Sequence, residues 1–134
     1  LHEIGLTVAH SQFHKHGAYL LENADLSGFT RQEQRVLAAL VRGHRRKFPH
    51  ALFAELPEDI VLCAMQICIL LRLTILLHRS RSPLARPVVM LSVAGSKLRL
   101  VFPDGWLASH PLTRAELKRE ARTLKKGGFR LKFQ

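Results

Sequence analysis

The sequence predicts an α+β fold, an all-helical bundle over residues 1–83 followed by a small strand-strand-helix-strand unit over residues 84–134. Three observations carry that expectation. Apolar residues recur at helical spacing up to about residue 78, punctuated by helix-start signals. The basic, turn-rich run Arg79-Ser80-Arg81-Ser82-Pro83 then interrupts the pattern. Beyond it, short stretches alternate apolar and polar side chains, the period of a half-buried strand.

Taken in order, residues 1–8 read as the end of one helix and Phe13–Asn23 as a second, broken by Asp25-Leu26-Ser27-Gly28. Thr30, with Glu33 three residues on, fits a capping box, in which the two side chains satisfy amides left open at a helix start. It opens a helix over residues 31–44 with Val36, Leu37, Leu40 and Val41 on one face. Pro57-Glu58-Asp59 starts a long helix to about His78, with Pro tolerated in the first turn and acids suited to the positive end of the dipole. Its stretch from Ile60 to Leu77 is apolar enough to suggest a membrane span. Gln66, Arg72 and Thr74 interrupt it, and an arginine at the bilayer centre costs roughly 2.5–3.5 kcal/mol. A core helix, with no membrane span, is the expectation. After the linker, residues 87–93 form a strand, Ala94-Gly95-Ser96 a turn, and residues 97–102 the second strand of a hairpin. Pro103-Asp104-Gly105 is another turn, and Trp106-Leu107 opens a short third strand. Thr113 and Glu116 make a second capping box for a helix that runs to about Lys126 and stops at Gly127-Gly128. Residues 129–133 alternate strictly as a final strand. A unit of about 50 residues buries too little to be stable alone, so it should lean on the helical part or on another copy.

The composition, 47% apolar and 23% charged, is that of a folded protein, and with one Trp and one Tyr its core must be aliphatic. The chain opens at Leu1 on what reads as helix interior, with no initiator Met and no signal-like start, so it is read as a fragment. Cys63 and Cys68 are five apart and form no CxxC pair, which favours two buried free thiols in a cytosolic protein over a disulfide or a zinc site.

Charge gives the first functional lead. Lys and Arg number 21 against 10 acids, a net +11, and eight His can add to it at mildly acid pH. Such an excess favours a polyanionic partner. Nucleic acid is the natural rival among polyanions, but no clear helix-turn-helix spacing, exposed aromatic stacking series or RNP-like motif is present, and no nucleic-acid partner is expected. Nothing resembles a Gly-rich phosphate loop, a Ser-His-Asp order or a nucleophilic Cys, so no catalytic residue is assigned.

Three cationic runs stand out. Arg42, His44, Arg45, Arg46 and Lys47 sit at a helix C-terminus, where the dipole accounts for one or two cations but not for five within six residues. Arg forks bind phosphate oxygens bidentately and Lys adds a point charge, so this run is a candidate polyanion contact. Arg79, Arg81 and Arg86 form a second candidate. Arg114, Lys118, Arg122 and Lys125 share one face of the last helix, with Arg119 and Lys126 beside them; this third run reads either as a solvated face or as a surface for a polyanion or an acidic partner. Separately, His2-Glu3, His10, His14, His16 and His44 form a histidine–carboxylate cluster of the kind that can bind a divalent metal. His14 and His16, two apart, cannot share a helix face, so at best one of them points inward with His2.

Ordered segments carry a family resemblance. Leu1-His2-Glu3-Ile4-Gly5, the run from Phe13 to Asn23, Phe29-Thr30-Arg31-Gln32-Glu33-Gln34, the run from Leu40 to Lys47 and the run from Leu71 to Ser82 together resemble the C-terminal, HD-like region of the Ppx/GppA phosphatases. The resemblance covers most of residues 1–83. It implies an HD-like bundle followed by a small mixed unit. It also implies catalysis in absent N-terminal actin-like lobes, with Mg²⁺ and a carboxylate base there, and a homodimer whose C-terminal domains help form a basic channel. The parent would be a cytoplasmic enzyme, free or peripheral to the inner membrane. It would release terminal phosphate from inorganic polyphosphate held by Arg42, His44, Arg45, Arg46, Lys47, Arg79 and Arg81. Guanosine pentaphosphate is the alternative substrate. An autonomous HD-type metal phosphohydrolase and a nucleic-acid module are further alternatives. The departures from an active HD site are that Glu3 stands where the family-typical Asp would be and that the helix around Arg72 lacks the completing Asp. His2, Glu3, His14 and His16 are therefore read as a degenerate remnant with no metal.

Overall fold

The structure, a computed structural model, describes residues 1–79 and 87–134, which pack as two compact units, Leu1–Arg72 and Leu73–Gln134. The domain boundary expected at residues 83/84 lies outside the described residues, as do Arg81 and Arg86. The fold class is α+β, as the residue patterns predict.

In the first unit the segment before Phe13 is not a regular helix. It makes a single 3₁₀ turn, Ile4–Thr7, in which Ile4 packs against the α1–α2 contact while Leu1 and Val8 stay exposed, leaving no continuous apolar stripe to bury. α1 (Phe13–Asn23) and α2 (Arg31–Gly43) pack with Ala18, Leu21, Ala38 and Val41 at their contact, flanked by Ile4, Leu26 and Leu37. The expected capping box forms: Thr30 Oγ1 accepts from the Glu33 amide at 3.2 Å, and Glu33 Oε2 accepts from the Thr30 amide at 2.7 Å. The far end of α1 is closed from α2, whose buried Gln34 donates to the carbonyls of Leu21 and Ala24 (3.2 and 2.7 Å). α3 (His50–Ala54) has no counterpart in the sequence expectations, since five residues are too few to show a period. It exists to seat Phe53, fully buried and stacked on Phe48 at 5.3 Å.

α4 (Glu58–His78) buries Ala64, Met65, Cys68, Ile69 and Arg72, one stripe at helical spacing. By length and composition alone it is long and apolar enough to cross a membrane. Cys68 is buried, but Cys63 falls off the stripe and is exposed, which corrects the expectation of two buried thiols; both are free.

In the second unit β1 (Met90–Ala94) and β2 (Lys97–Val101) form an antiparallel hairpin whose turn residue Gly95 has φ 57°, a backbone region that glycine enters without steric cost. β3 (Arg130–Phe133) pairs parallel to β2, giving the order β1-β2-β3. Parallel pairing needs a crossover, here supplied by α5 (Trp106–Ser109) and α6 (Pro111–Lys126). Leu98, Leu100, Phe102, Leu117, Leu124, Phe129 and Leu131 are buried.

Two expectations are corrected here. Trp106 and Leu107 open a helical turn, not a strand: Gly105, at φ 73°, redirects the chain, and the Trp106 ring then stacks between Phe102 and His110. α6 begins at Pro111, with Pro in its first turn, so Thr113 lies inside the helix and the second capping box does not form.

Candidate functional site

The loop leaving α2 concentrates the cations of the first unit, and one buried side chain organises it. Arg72 is only 5% exposed, yet its guanidinium donates to the carbonyl of Gly43 and, at 2.8 Å, to that of Arg46. The Gly43 carbonyl is one that the end of α2 leaves open, and that of Arg46 lies in the loop beyond it. Arg46 itself adopts φ 60°, a strained conformation for a residue with a Cβ, and the bond from Arg72 helps to hold it. Gly43 cannot carry a side chain here: a Cβ would come within 2.6 Å of Cys68 Sγ and 3.3 Å of Pro49 Cδ. Replacing Arg72 by methionine keeps the length and loses the donors. It is expected to destabilise the first unit by about 2 kcal/mol, since unsatisfied buried carbonyls cost roughly 1–3 kcal/mol each and the removed charge burial offsets part of that. A shift of the urea midpoint at unchanged slope would measure it. The sequence carried this signal: a lone Arg in a long apolar run must have partners.

The five-residue cationic run divides once folded. Arg46 and Lys47 are exposed, and neither pairs with a carboxylate among the described residues. Arg42 is half-buried, and so is Arg45, whose guanidinium carbon sits 4.6 Å from the centroid of the Phe13 ring, a cation–π contact. His44 does not face outward with them. It is 4% exposed, and its Nδ1 lies 2.6 Å from the Val41 carbonyl, which requires Nδ1 to carry the proton. Of the five groups expected to contact a polyanion, His44 is the one the fold withdraws, because it falls on the buried side of the helix end.

His44 instead joins the histidine cluster. Its ring lies edge-on to His2 (centroids 5.4 Å, 72°) and to His14 (6.4 Å, 83°), with Phe13 at 5.7 Å. Of the spaced pair, His14 points inward at 4% exposure, and His16 is half-buried elsewhere on α1. Glu3 is exposed, 3.8 Å from His2 Nε2. Burial first, then the charges of Arg42 and Arg45, lowers the His14 pKa from 6.5 to about 4. His44 is lowered to about 4 by burial first, with His2, Arg45 and Arg72 adding to it against the bond to Val41. His14 Nδ1 is buried with no hydrogen-bond partner. Nitrogen ligands to zinc need about 2.0–2.1 Å to the metal, and among the described residues no three His, Cys, Asp or Glu side chains form such a set. With pKa values of about 4, both buried rings are neutral at pH 7.

The second candidate run is only partly described. Arg79 is exposed and donates to Glu116 Oε1 at 3.4 Å, within the second unit; an exposed pair of this kind contributes little. On α6, Arg114, Lys118, Arg119, Arg122, Lys125 and Lys126 are all exposed.

Comparison with known proteins places this arrangement in a family. The model of Ppx/GppA phosphatase, domain III, matches residues 1–121. The chain belongs to the Ppx/GppA family. Among its relatives, the guanosine-5'-triphosphate,3'-diphosphate pyrophosphatase of Pseudoalteromonas translucida is 36% identical over 131 residues, 98% of this chain and 26% of that protein. The protein of the same name from Vibrio cholerae is 42% identical over 124 residues, 90% of this chain and 24% of its own length. The chain thus spans about a quarter of the length of the curated Ppx/GppA relatives it matches. The histidine cluster and the cationic loop both lie within the segment matched to domain III.

Proposed function

We propose that this chain is the non-catalytic, polyanion-holding region of a phosphohydrolase whose substrate is guanosine-5'-triphosphate,3'-diphosphate. The activity that names its 36% and 42% identical relatives supports that substrate over the inorganic polyphosphate expected from the sequence. The observation that carries the binding role is the Arg72-braced loop, which presents Arg42, Arg45, Arg46 and Lys47 around one turn. A guanosine bearing five phosphates offers such a loop a dense anionic group, and arginine forks match phosphate oxygens. Catalysis, with Mg²⁺ and a carboxylate base, belongs in this reading to preceding lobes of the parent protein, and a second copy completes the basic channel. Inorganic polyphosphate is the second reading, supported by the same loop, because a plain electrostatic contact reads neither base nor sugar.

The test is titration of the chain with the nucleotide and with polyphosphate at several salt concentrations. Arg46→Gln with Lys47→Gln is expected to weaken binding and to reduce the slope of log K against log salt by about two, roughly one per lost phosphate contact. An unchanged slope would show that the loop faces only solvent. Mg²⁺- or Mn²⁺-dependent turnover by the isolated chain would remove the non-catalytic reading.

A further inference from the structure

The second unit holds a feature that the phosphate loop does not explain. Phe102, Trp106 and His110, four residues apart, form one column of rings. Phe102 and Trp106 stack at 5.2 Å and 11°, and Trp106 and His110 at 3.9 Å and 10°. Phe102 is buried and Trp106 half-buried, whereas His110 is exposed. Its orientation is fixed by a 2.8 Å contact between Nδ1 and the Trp106 carbonyl. The column therefore ends in a pre-oriented aromatic ring at the surface. The series is hidden in the sequence because Phe102 follows β2, Trp106 opens α5 and His110 lies between α5 and α6, so the rings meet only after Gly105 turns the chain.

A line of cations leads away from that ring. Arg114, Lys118, Arg122 and Lys125 follow His110 at intervals of four, four, four and three residues, are exposed, and pair with no carboxylate among the described residues. At 3.6 residues per turn, Glu116 and Glu120 fall on the opposite flank of α6. The stripe from residue 110 to 125 is about 22 Å long at 1.5 Å per residue. A base-free polymer would leave the aromatic end unused, and a single nucleotide would reach only the first turn. An aromatic platform joined to a cationic track is the arrangement that binds single strands, with bases stacked on rings and phosphates along the charges.

We propose that the second unit binds single-stranded nucleic acid, with a base stacked on His110 and the following phosphates on Arg114, Lys118, Arg122 and Lys125. The experiment measures anisotropy of a labelled eight-nucleotide RNA titrated with the 134-residue chain. Inorganic polyphosphate of equal charge and guanosine nucleotide serve as competitors. His110→Ala is expected to weaken RNA binding about tenfold, the order of one lost base stack, and to leave polyphosphate binding unchanged, while His110→Phe restores the RNA affinity. Emission from Trp106, the only Trp in the chain, is expected to change with RNA and not with polyphosphate. Circular dichroism of the variants checks that α6 remains folded. RNA affinity indifferent to His110→Ala would overturn the proposal. So would polyphosphate or mononucleotide competing as well as RNA, and that result would leave the Arg46–Lys47 reading standing.

Discussion

Gly5→Ala is expected to destabilise the first unit by on the order of 3 kcal/mol, the upper range for overpacking. A Cβ at this position would overlap the carbonyl oxygen of Phe13 and come within 2.6 Å of the Gly17 amide nitrogen. Both are backbone atoms in the first turns of α1, so no rotamer change relieves the clash and the 3₁₀ turn must lift away from the helix. Gly17→Ala is the informative contrast. Its Cβ would meet Val41 Cγ1 at 3.0 Å and Ile4 Cγ2 at 3.1 Å, side-chain methyls that can shift, and the Gly5 amide nitrogen only at 3.2 Å, so a smaller loss is expected. For a domain of this size a 3 kcal/mol loss lowers Tm by more than about 10 °C. Thermal melts in which Gly5→Ala is no worse than Gly17→Ala would show that residues 1–8 do not hold α1 as described.

The second large effect is acid destabilisation through His14 and His44. Their folded pKa values, both about 4, lie below the ordinary 6.5, so the folded state prefers the neutral rings and the unfolded chain binds more protons between those values. Stability from this pair is fully present above pH 6.5, falls as pH drops through 6 and 5, and is lost by about pH 4. At 1.36 kcal/mol per pKa unit each ring accounts for up to about 3 kcal/mol. The rings are close enough to titrate as a coupled pair, so the total belongs to the cluster. The check is the urea midpoint from pH 7 to 4.5 in the chain and in His44→Gln, which can still donate to Val41. The variant is expected to lose less stability over that interval; equal losses would place the acid sensitivity elsewhere.

Several elements were legible because their determinants are local. The Thr30–Glu33 capping box needs only two side chains three residues apart, and it forms as read. The alternation of Lys97-Leu98-Arg99-Leu100 directly gives a strand with Leu98 and Leu100 buried. The misreadings came where a local signal competed with packing. Thr113 and Glu116 have capping-box spacing, but Pro111 starts α6 earlier. Trp106 has strand propensity, but its ring gains more by stacking between Phe102 and His110. In the candidate site, the concentration of Arg42–Lys47 was plain in the sequence. That His44 turns inward, and that Arg72 from 26 residues beyond Arg46 braces the loop, was not.

By itself the sequence determined the fold class, the positions of the long helices and the excess positive charge. Each of these depends on residue type and on spacing within one or two turns, which tertiary contacts do not alter. Tertiary structure alone decided which cations stay in water and which are consumed in structure. It decided that His14 and His44 are buried against the half-exposed His2, and that the rings of Phe102, Trp106 and His110 stack. Those outcomes depend on desolvation and on contacts between residues far apart in the chain, and both exist only once the helices have packed.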